Sequence, residues 1–325
     1  MLISPSRRLV TVLVAVTALI GACNAATGPL GSVPPASTGP EPSVDLGSPD
    51  VTPSAAPSDQ PSLEPSGSTS SPSPSASPTG TTILRTYFWL GGQQRSAGLV
   101  AVLRTVPGTK SVATAAMNAL LAGPTATESG DRMISTAVPV GSQLLGLTIK
   151  DGVATVDLSS EFESGGGSVS VLTRLGQVVY TLTQFPSVKT VLFLIEGQPA
   201  NVFSSQGIVL DKPVGRSDYV QLLPAIWVDR PAFGAAIGNP AHVTGSADEF
   251  EATFRVAILD GSGKVLADQQ VMATCGSGCR GTFDVTIAYA VSKAQYGTLR
   301  AYNPSAKDGT PEDIRDYRVW LTPKG

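Results

Sequence analysis

The chain has 325 residues, of which only 14% are charged, and a formal net charge of −3. So weak a charge, with no basic cluster, argues against nucleic acid as a partner, because phosphate binding needs a concentrated cationic face. A single histidine excludes His-x-x-x-His zinc motifs, and three cysteines leave little for any other metal centre.

The N-terminus has the three parts of an export signal: Arg7-Arg8, the apolar run Leu9 to Ile20, and the small pair Gly21-Ala22. At ~1.5 Å per residue, about 12 apolar residues fall short of a ~30 Å hydrocarbon core. Residues 1–22 therefore read as a cleaved signal peptide rather than a spanning helix. Ile20-Gly21-Ala22-Cys23 resembles the lipobox of bacterial lipoproteins, with Ile20 where Leu is usual. The resemblance implies a diacylglycerol thioether on Cys23, cleavage before it and N-acylation, hence an extracytoplasmic protein anchored to the cell membrane by the lipid bilayer. Two or three acyl chains, at ~0.8 kcal/mol per buried CH₂, make such anchoring stable.

Residues 23–80 read as a disordered linker. From Asn24 to Gly80 there is no Lys, Arg or aromatic residue, and Ser71–Pro78 is almost pure Ser and Pro. Such a composition buries too little apolar surface to offset the entropy of ordering. A flexible coil of this length spans roughly 40 Å r.m.s., and ~180 Å if drawn out as polyproline II. It reads as a spacer, and its Ser/Thr with Pro also fits an O-glycosylated stalk.

The first folded unit is expected over residues 81–219. Thr82–Leu90 and Leu99–Val106 are rich in β-formers and predict strands, separated at Gly91-Gly92. Helical spacing follows over Ser111–Leu121, stopped by Gly123-Pro124. Gln143–Lys150 and Val153–Leu158 predict a hairpin around Asp151-Gly152, a dipeptide suited to a type I′ turn. A second helix is predicted over Ser168–Thr183 and a buried, central strand over Val188–Glu196.

Within that unit Leu120–Pro124, Asp151-Gly-Val-Ala-Thr-Val-Asp-Leu-Ser159 and Val179-Tyr-Thr-Leu-Thr-Gln-Phe-Pro-Ser-Val188 stand in an order that resembles the GerMN domain of bacterial sporulation and germination proteins. The resemblance implies a small α/β sandwich, an α+β fold, in an extracytoplasmic lipoprotein, with no catalytic activity. Asp157 and Thr181, the polar positions of these motifs, read as structural: an acceptor for a loop and a hydroxyl bonding back along its own helix.

The second unit is expected over residues 222–323. Short runs such as Ile226–Val228, Phe250–Leu259, Val265–Val271 and Thr282–Ala290 alternate apolar and polar residues between turn signals, the pattern of an all-β sandwich. Val243-Thr-Gly-Ser-Ala, Leu259-Asp-Gly-Ser-Gly and Gly281-Thr-Phe-Asp resemble the immunoglobulin-like domain of bacterial spore germination proteins. With Cys23 assigned to lipid, Cys275 and Cys279 remain as a pair in an oxidising compartment and predict a disulfide across Gly276-Ser277-Gly278.

Catalytic patterns are sparse. Gly261-Ser-Gly-Lys264 lacks the glycine spacing of a phosphate loop and reads as a hairpin turn. Glu161 with Glu163, and Asp248 with Glu249 and Glu251, are acid groups beside turns, where carboxylates are normally solvated; Asp308, Asp313 and Asp316 lack the alternation of a calcium loop. Tyr87 and Trp89 share one face of the first strand, either as core or as a ligand-binding platform for cell-wall glycan. No catalytic residue and no cofactor is implied. The reading is a non-enzymatic binding or scaffolding lipoprotein of the cell envelope, its partners envelope proteins or peptidoglycan. The alternative is a cell-wall hydrolase using Glu161 and Glu163, or a glycan-binding protein.

Overall fold

The computed structural model describes residues 80–324 apart from 94, 131–132 and 204–206. The signal segment, Cys23 and the linker up to residue 79 lie outside the described residues.

Strand β1 (Thr81–Leu90) forms because β-branched and aromatic residues follow one another, and it pairs antiparallel with β2 (Gly98–Pro107) along its whole length. Helix α1 (Val112–Leu121) buries Ala113, Ala116, Met117 and Leu120, one stripe at helical spacing. A short α2 (Ala126–Gly130) leads to β3 (Ile134–Ser135), which pairs with the end of β1 at Trp89 and Leu90. Strands β4 (Leu144–Lys150) and β5 (Val153–Leu158) make the expected hairpin. Both turn residues are left-handed, Asp151 at φ 50° and Gly152 at φ 83°, as a type I′ turn requires. Helix α3 (Ser168–Leu182) then carries the chain across to β6 (Thr190–Ile195), parallel to β5, and β7 (Gln198–Pro199) completes a sheet in the order β4-β5-β6-β7. As the sequence predicts, β6 is interior. A small ribbon, β8 (Val202–Phe203) with β9 (Ile208–Val209), follows.

The rest is all β. Strands β10 (Ile226–Arg230), β12 (Ala241–Ala247) and β15 (Gly281–Ile287) form one sheet in the order β10-β12-β15. Strands β11 (Ala236–Ile237), β13 (Thr253–Leu259), β14 (Val265–Met272), β16 (Gln295–Pro304) and β17 (Pro311–Leu321) form a second, ordered β11-β17-β16-β13-β14. Alternation buries Val243, Phe283, Val256, Leu299 and Val319 between them. The expected strand from Phe250 starts three residues late. Residues 250–252 make a 3₁₀ turn, with Glu251 at φ 55° and Ala252 at φ 59°. The 275–279 loop packs on this turn, where Ser277 Oγ accepts from Glu251 N at 3.2 Å, so Phe250 is displaced outward and is 74% exposed.

One apolar cluster runs through both units without a break, from Tyr87 and Leu175 to Val228 and Tyr317. The joint between them is also hydrogen-bonded. Phe233 N donates to Ala101 O at 2.8 Å, and Ala225 N donates to Arg95 O at 2.7 Å. Arg315, 2% exposed, reaches from β17 to the turn that opens β2, donating to the carbonyls of Ser96, Gly98 and Leu99 and to Tyr317 Oη. A buried cation is tolerated here because its donors are met by carbonyls.

Candidate functional site

The joint gathers the polar and aromatic residues of both units, and helix α3 places them. The edge of β1 opposite β2 has no strand partner at Arg85 and Tyr87. Three α3-side residues at helical spacing stand in for one. Gln184 accepts from Arg85 N at 2.9 Å and donates to Arg85 O at 2.6 Å. Thr181 Oγ1 accepts from Tyr87 N at 3.1 Å, and Gln177 donates to Tyr87 O at 3.0 Å. Thr181 is structural as predicted, but its bond runs to β1 rather than back along its helix.

Tyr87 is thereby fixed beneath the joint. Its hydroxyl donates to Asp229 Oδ1 at 2.7 Å, and Asp229 pairs with Arg85 at 3.3 Å. Arg216 completes the chain, donating to Tyr87 Oη at 3.3 Å and to Thr183 Oγ1 at 2.8 Å. Its guanidinium lies 4.7 Å from the Tyr180 ring centre, 5.4 Å from Tyr87 and 6.0 Å from Trp227, an aromatic enclosure that suits a weakly hydrated cation. Burial, and then the negative charge of Asp229, push the Tyr87 hydroxyl far above the ordinary tyrosine range, so it stays a proton donor. Burial likewise pushes Tyr180 up to about 12.

Above this network a groove of about 840 Å³ opens between the units. Its floor is the outer face of the β10-β12-β15 sheet, where Trp227, Ser246 and Thr282 stand side by side in register. Thr244 and Asp284 form the next row, and Arg216, Arg280 and Met272 stand at the sides. Arg280 donates to Pro224 O at 2.8 Å and to Ser246 O and Oγ at 3.3 Å. Trp227 is 6% exposed, and its Nε1 is buried without an acceptor among the described residues.

Of the candidate residues singled out in the sequence, Tyr87 and Thr181 belong to the network beneath the groove and none lines the groove itself. Tyr87 is fully buried, so it offers no ring face to a glycan and leaves the expected platform. Both faces of β1 are covered, one by the helices and one at the joint, which the alternation of a single strand does not reveal. Trp89 stays half-buried and lines a second hollow beside Gly167 and Val169. Cys275 and Cys279 are disulfide-bonded, their Cα atoms 5.9 Å apart. Glu161 and Glu163 lie on a 3₁₀ turn over Ser160–Glu163 and do not line the groove. Glu249 is a correction. It was expected in solvent, yet it is 1% exposed and pairs with Arg95 at 3.2 Å. His242 is exposed and bonds Asp284 at 2.6 Å. Asp308 caps its own turn through Thr310, while Asp313 pairs with Arg95 and Asp316 with Arg300. Among the described residues no three His, Cys, Asp or Glu are grouped to hold a metal. The groove residues Arg216, Trp227, Asp229 and Arg280 carry no motif; the only signal for them is the scarcity of Trp, three in the chain.

Comparison with known proteins agrees with this division. Residues 86–201 match the Germane family, described as sporulation and spore germination, and residues 225–310 match Gmad2, the immunoglobulin-like domain of bacterial spore germination. No curated protein matches the chain. Among solved structures, the tandem GerMN domains of the Bacillus subtilis sporulation protein GerM are 17% identical. They cover 64% of this chain and 62% of their own, with a TM-score of 0.38. The first GerMN domain of GerM alone is 24% identical over 42% of this chain and 99% of that one, with a TM-score of 0.36. A Clostridium perfringens protein described as a lipoprotein is 23% identical over 44% of this chain and 93% of that one, with a TM-score of 0.31. The chain therefore carries a Germane domain followed by the immunoglobulin-like domain of bacterial spore germination.

Proposed function

We propose that this protein is a lipid-tethered, non-enzymatic adaptor on the outer face of the cytoplasmic membrane, presenting its two domains as one binding body to envelope proteins or peptidoglycan. The observation that carries the reading is the joint. The carboxylates, arginines and tyrosines gathered there are bonded to one another and to main-chain carbonyls across the two domains, an arrangement that holds a surface rather than one that turns over a substrate. The families matched are sporulation and germination domains, not known enzyme families. The lipobox resemblance at Cys23 supplies the tether, and the Pro/Ser/Thr tract supplies reach. Among the described residues no helix is long and apolar enough to cross a membrane.

The test is crosslinking in intact cells followed by fractionation, comparing wild type with Cys23→Ala. Wild type is expected in the membrane fraction with an envelope protein or muropeptide attached, and the variant in the soluble fraction without it. A Cys23→Ala protein that stays with the membrane sinks the tether. A correctly located wild type that crosslinks to nothing sinks the adaptor.

A further inference from the structure

We propose that the groove between the two domains is a binding site for a free peptide chain end, with the α-carboxylate at Arg280 and the cationic group of the peptide at Asp284. Four observations converge on it. First, Arg280 reaches the groove with carbonyl and hydroxyl partners only; among the described residues no carboxylate pairs with it in contact, although Asp248 and Glu249 act on it from further off. Guanidinium groups suit carboxylates. Secondly, Trp227, in the row next to Arg280, keeps a buried Nε1 donor with no acceptor among the described residues, and such a group is costly to leave unmet.

Thirdly, the groove is polar in one direction. Asp229 and Asp284 line it one row along the strands from Trp227 and Ser246, a distance of roughly 7 Å for two residues of extended chain. Asp229 is already paired with Arg85, so the accessible carboxylate of that row is Asp284, exposed and bonded to His242, and a compact dianion such as phosphate, drawn to Arg280, meets it along the groove. A short zwitterionic peptide puts opposite charges at the two ends. Fourthly, the rim offers main-chain partners. Thr282 turns its backbone away from β12, donating to Thr274 Oγ1 at 2.9 Å and accepting from Thr274 N at 2.9 Å. Strand alternation then points the N–H and C=O of Asp284 the same way, beside the groove, where the amides of an extended peptide can meet them. The hydroxyls of Thr244, Ser246 and Thr282 complete a surface suited to peptide rather than to bulk apolar ligand.

The inference deepens the adaptor reading, on which it rests for the groove as the contact surface, but it does not depend on the tether. The full-length chain in detergent micelles is titrated by calorimetry with trialanine, trialanine amide, N-acetyl-trialanine and inorganic phosphate. Trialanine is expected to bind saturably, and the amide and the acetylated peptide each about ten-fold more weakly, the loss of one charge-assisted contact. Asp284→Asn, at an exposed side chain, should abolish the preference over N-acetyl-trialanine while keeping the preference over the amide. Arg280→Met should abolish the preference over the amide; if that variant melts early, Asp284→Asn carries the test alone. No saturable binding of trialanine, equal affinity for acid and amide, phosphate binding tighter than trialanine, or an unaltered Asp284→Asn profile each overturns the proposal. None of these outcomes bears on membrane release by Cys23→Ala, so the two failures are distinguishable.

Discussion

Glu249 is the side chain most at odds with its surroundings. Its Oε2 accepts from Arg95 and from Asn303, both at 3.2 Å, while its Oε1 is buried without a partner among the described residues. Burial raises its pKa above the ordinary 4.5, and the Arg95 charge offsets this only in part. The folded chain therefore holds this proton to higher pH than the unfolded chain does. The stabilisation it gives is complete below 4.5 and is lost as pH rises through the raised value. Urea midpoints measured from pH 4 to pH 8 should show this loss in wild type and a flatter profile in Glu249→Gln; identical profiles would remove Glu249 as the cause. The sequence marks the acid cluster at Asp248, Glu249 and Glu251 but not which member turns inward. That depends on Arg95, 154 positions away, and on a turn that only the packed 275–279 loop imposes. Asp157, by contrast, is a loop acceptor as the sequence predicts: Gly197 N, in the turn that follows the neighbouring strand β6, donates to it at 2.9 Å.

At the scale of elements, α3 serves as a strand as well as a helix. Its Gln177 and Thr181, with Gln184 just beyond its end, meet main-chain groups that a β1 neighbour would otherwise meet. Thr181→Val keeps the shape but leaves Tyr87 N–H buried and unbonded, at a cost of about 1–3 kcal/mol. Gln184→Leu orphans both main-chain groups of Arg85, which are only partly buried, and should cost about as much. Chemical denaturation reads the loss, and faster amide exchange at Tyr87 or Arg85 assigns it to this edge; a loss of stability with unchanged exchange there would refute the assignment. The elements themselves were largely legible. Periodicity placed α1 and α3 within a residue or two, and Asp151-Gly152 set the β4-β5 register. Strands β16 and β17 pair with each other from Gln295 with Leu321 to Pro304 with Pro311, and a partner further along the chain is not written in the alternation of either strand. The role of α3's polar stripe was not legible, since helix patterns report which face is apolar and say nothing of what the amides reach.

At the largest scale, the two domains behave as one body at their joint. A shared apolar cluster and the Arg315 bonds to Ser96, Gly98 and Leu99 predict a single cooperative transition for both domains in calorimetry. Arg315→Met strands three carbonyls and should cost about 3 kcal/mol or more, lowering or splitting that transition; a variant melting with wild type would show the clamp to be idle. Sequence reading located two domains but gave no sign that they fuse, because every contact across the joint is distant in the chain. Those contacts have a further property. Arg315, Ala225, Phe233 and Arg280 all address main-chain atoms across or beside the joint. The side chains of Ser96 and Leu99 take no part in those bonds and are held instead by burial, 4% and 0% exposed. Gly98 is fixed by the close approach of the chain, since a Cβ there would lie 2.7 Å from Leu222 O. A joint written partly in backbone narrows what recombination must match: a foreign second domain grafted onto this first one would need the equivalent arginine, and a carboxylate where Asp229 meets Tyr87 and Arg85.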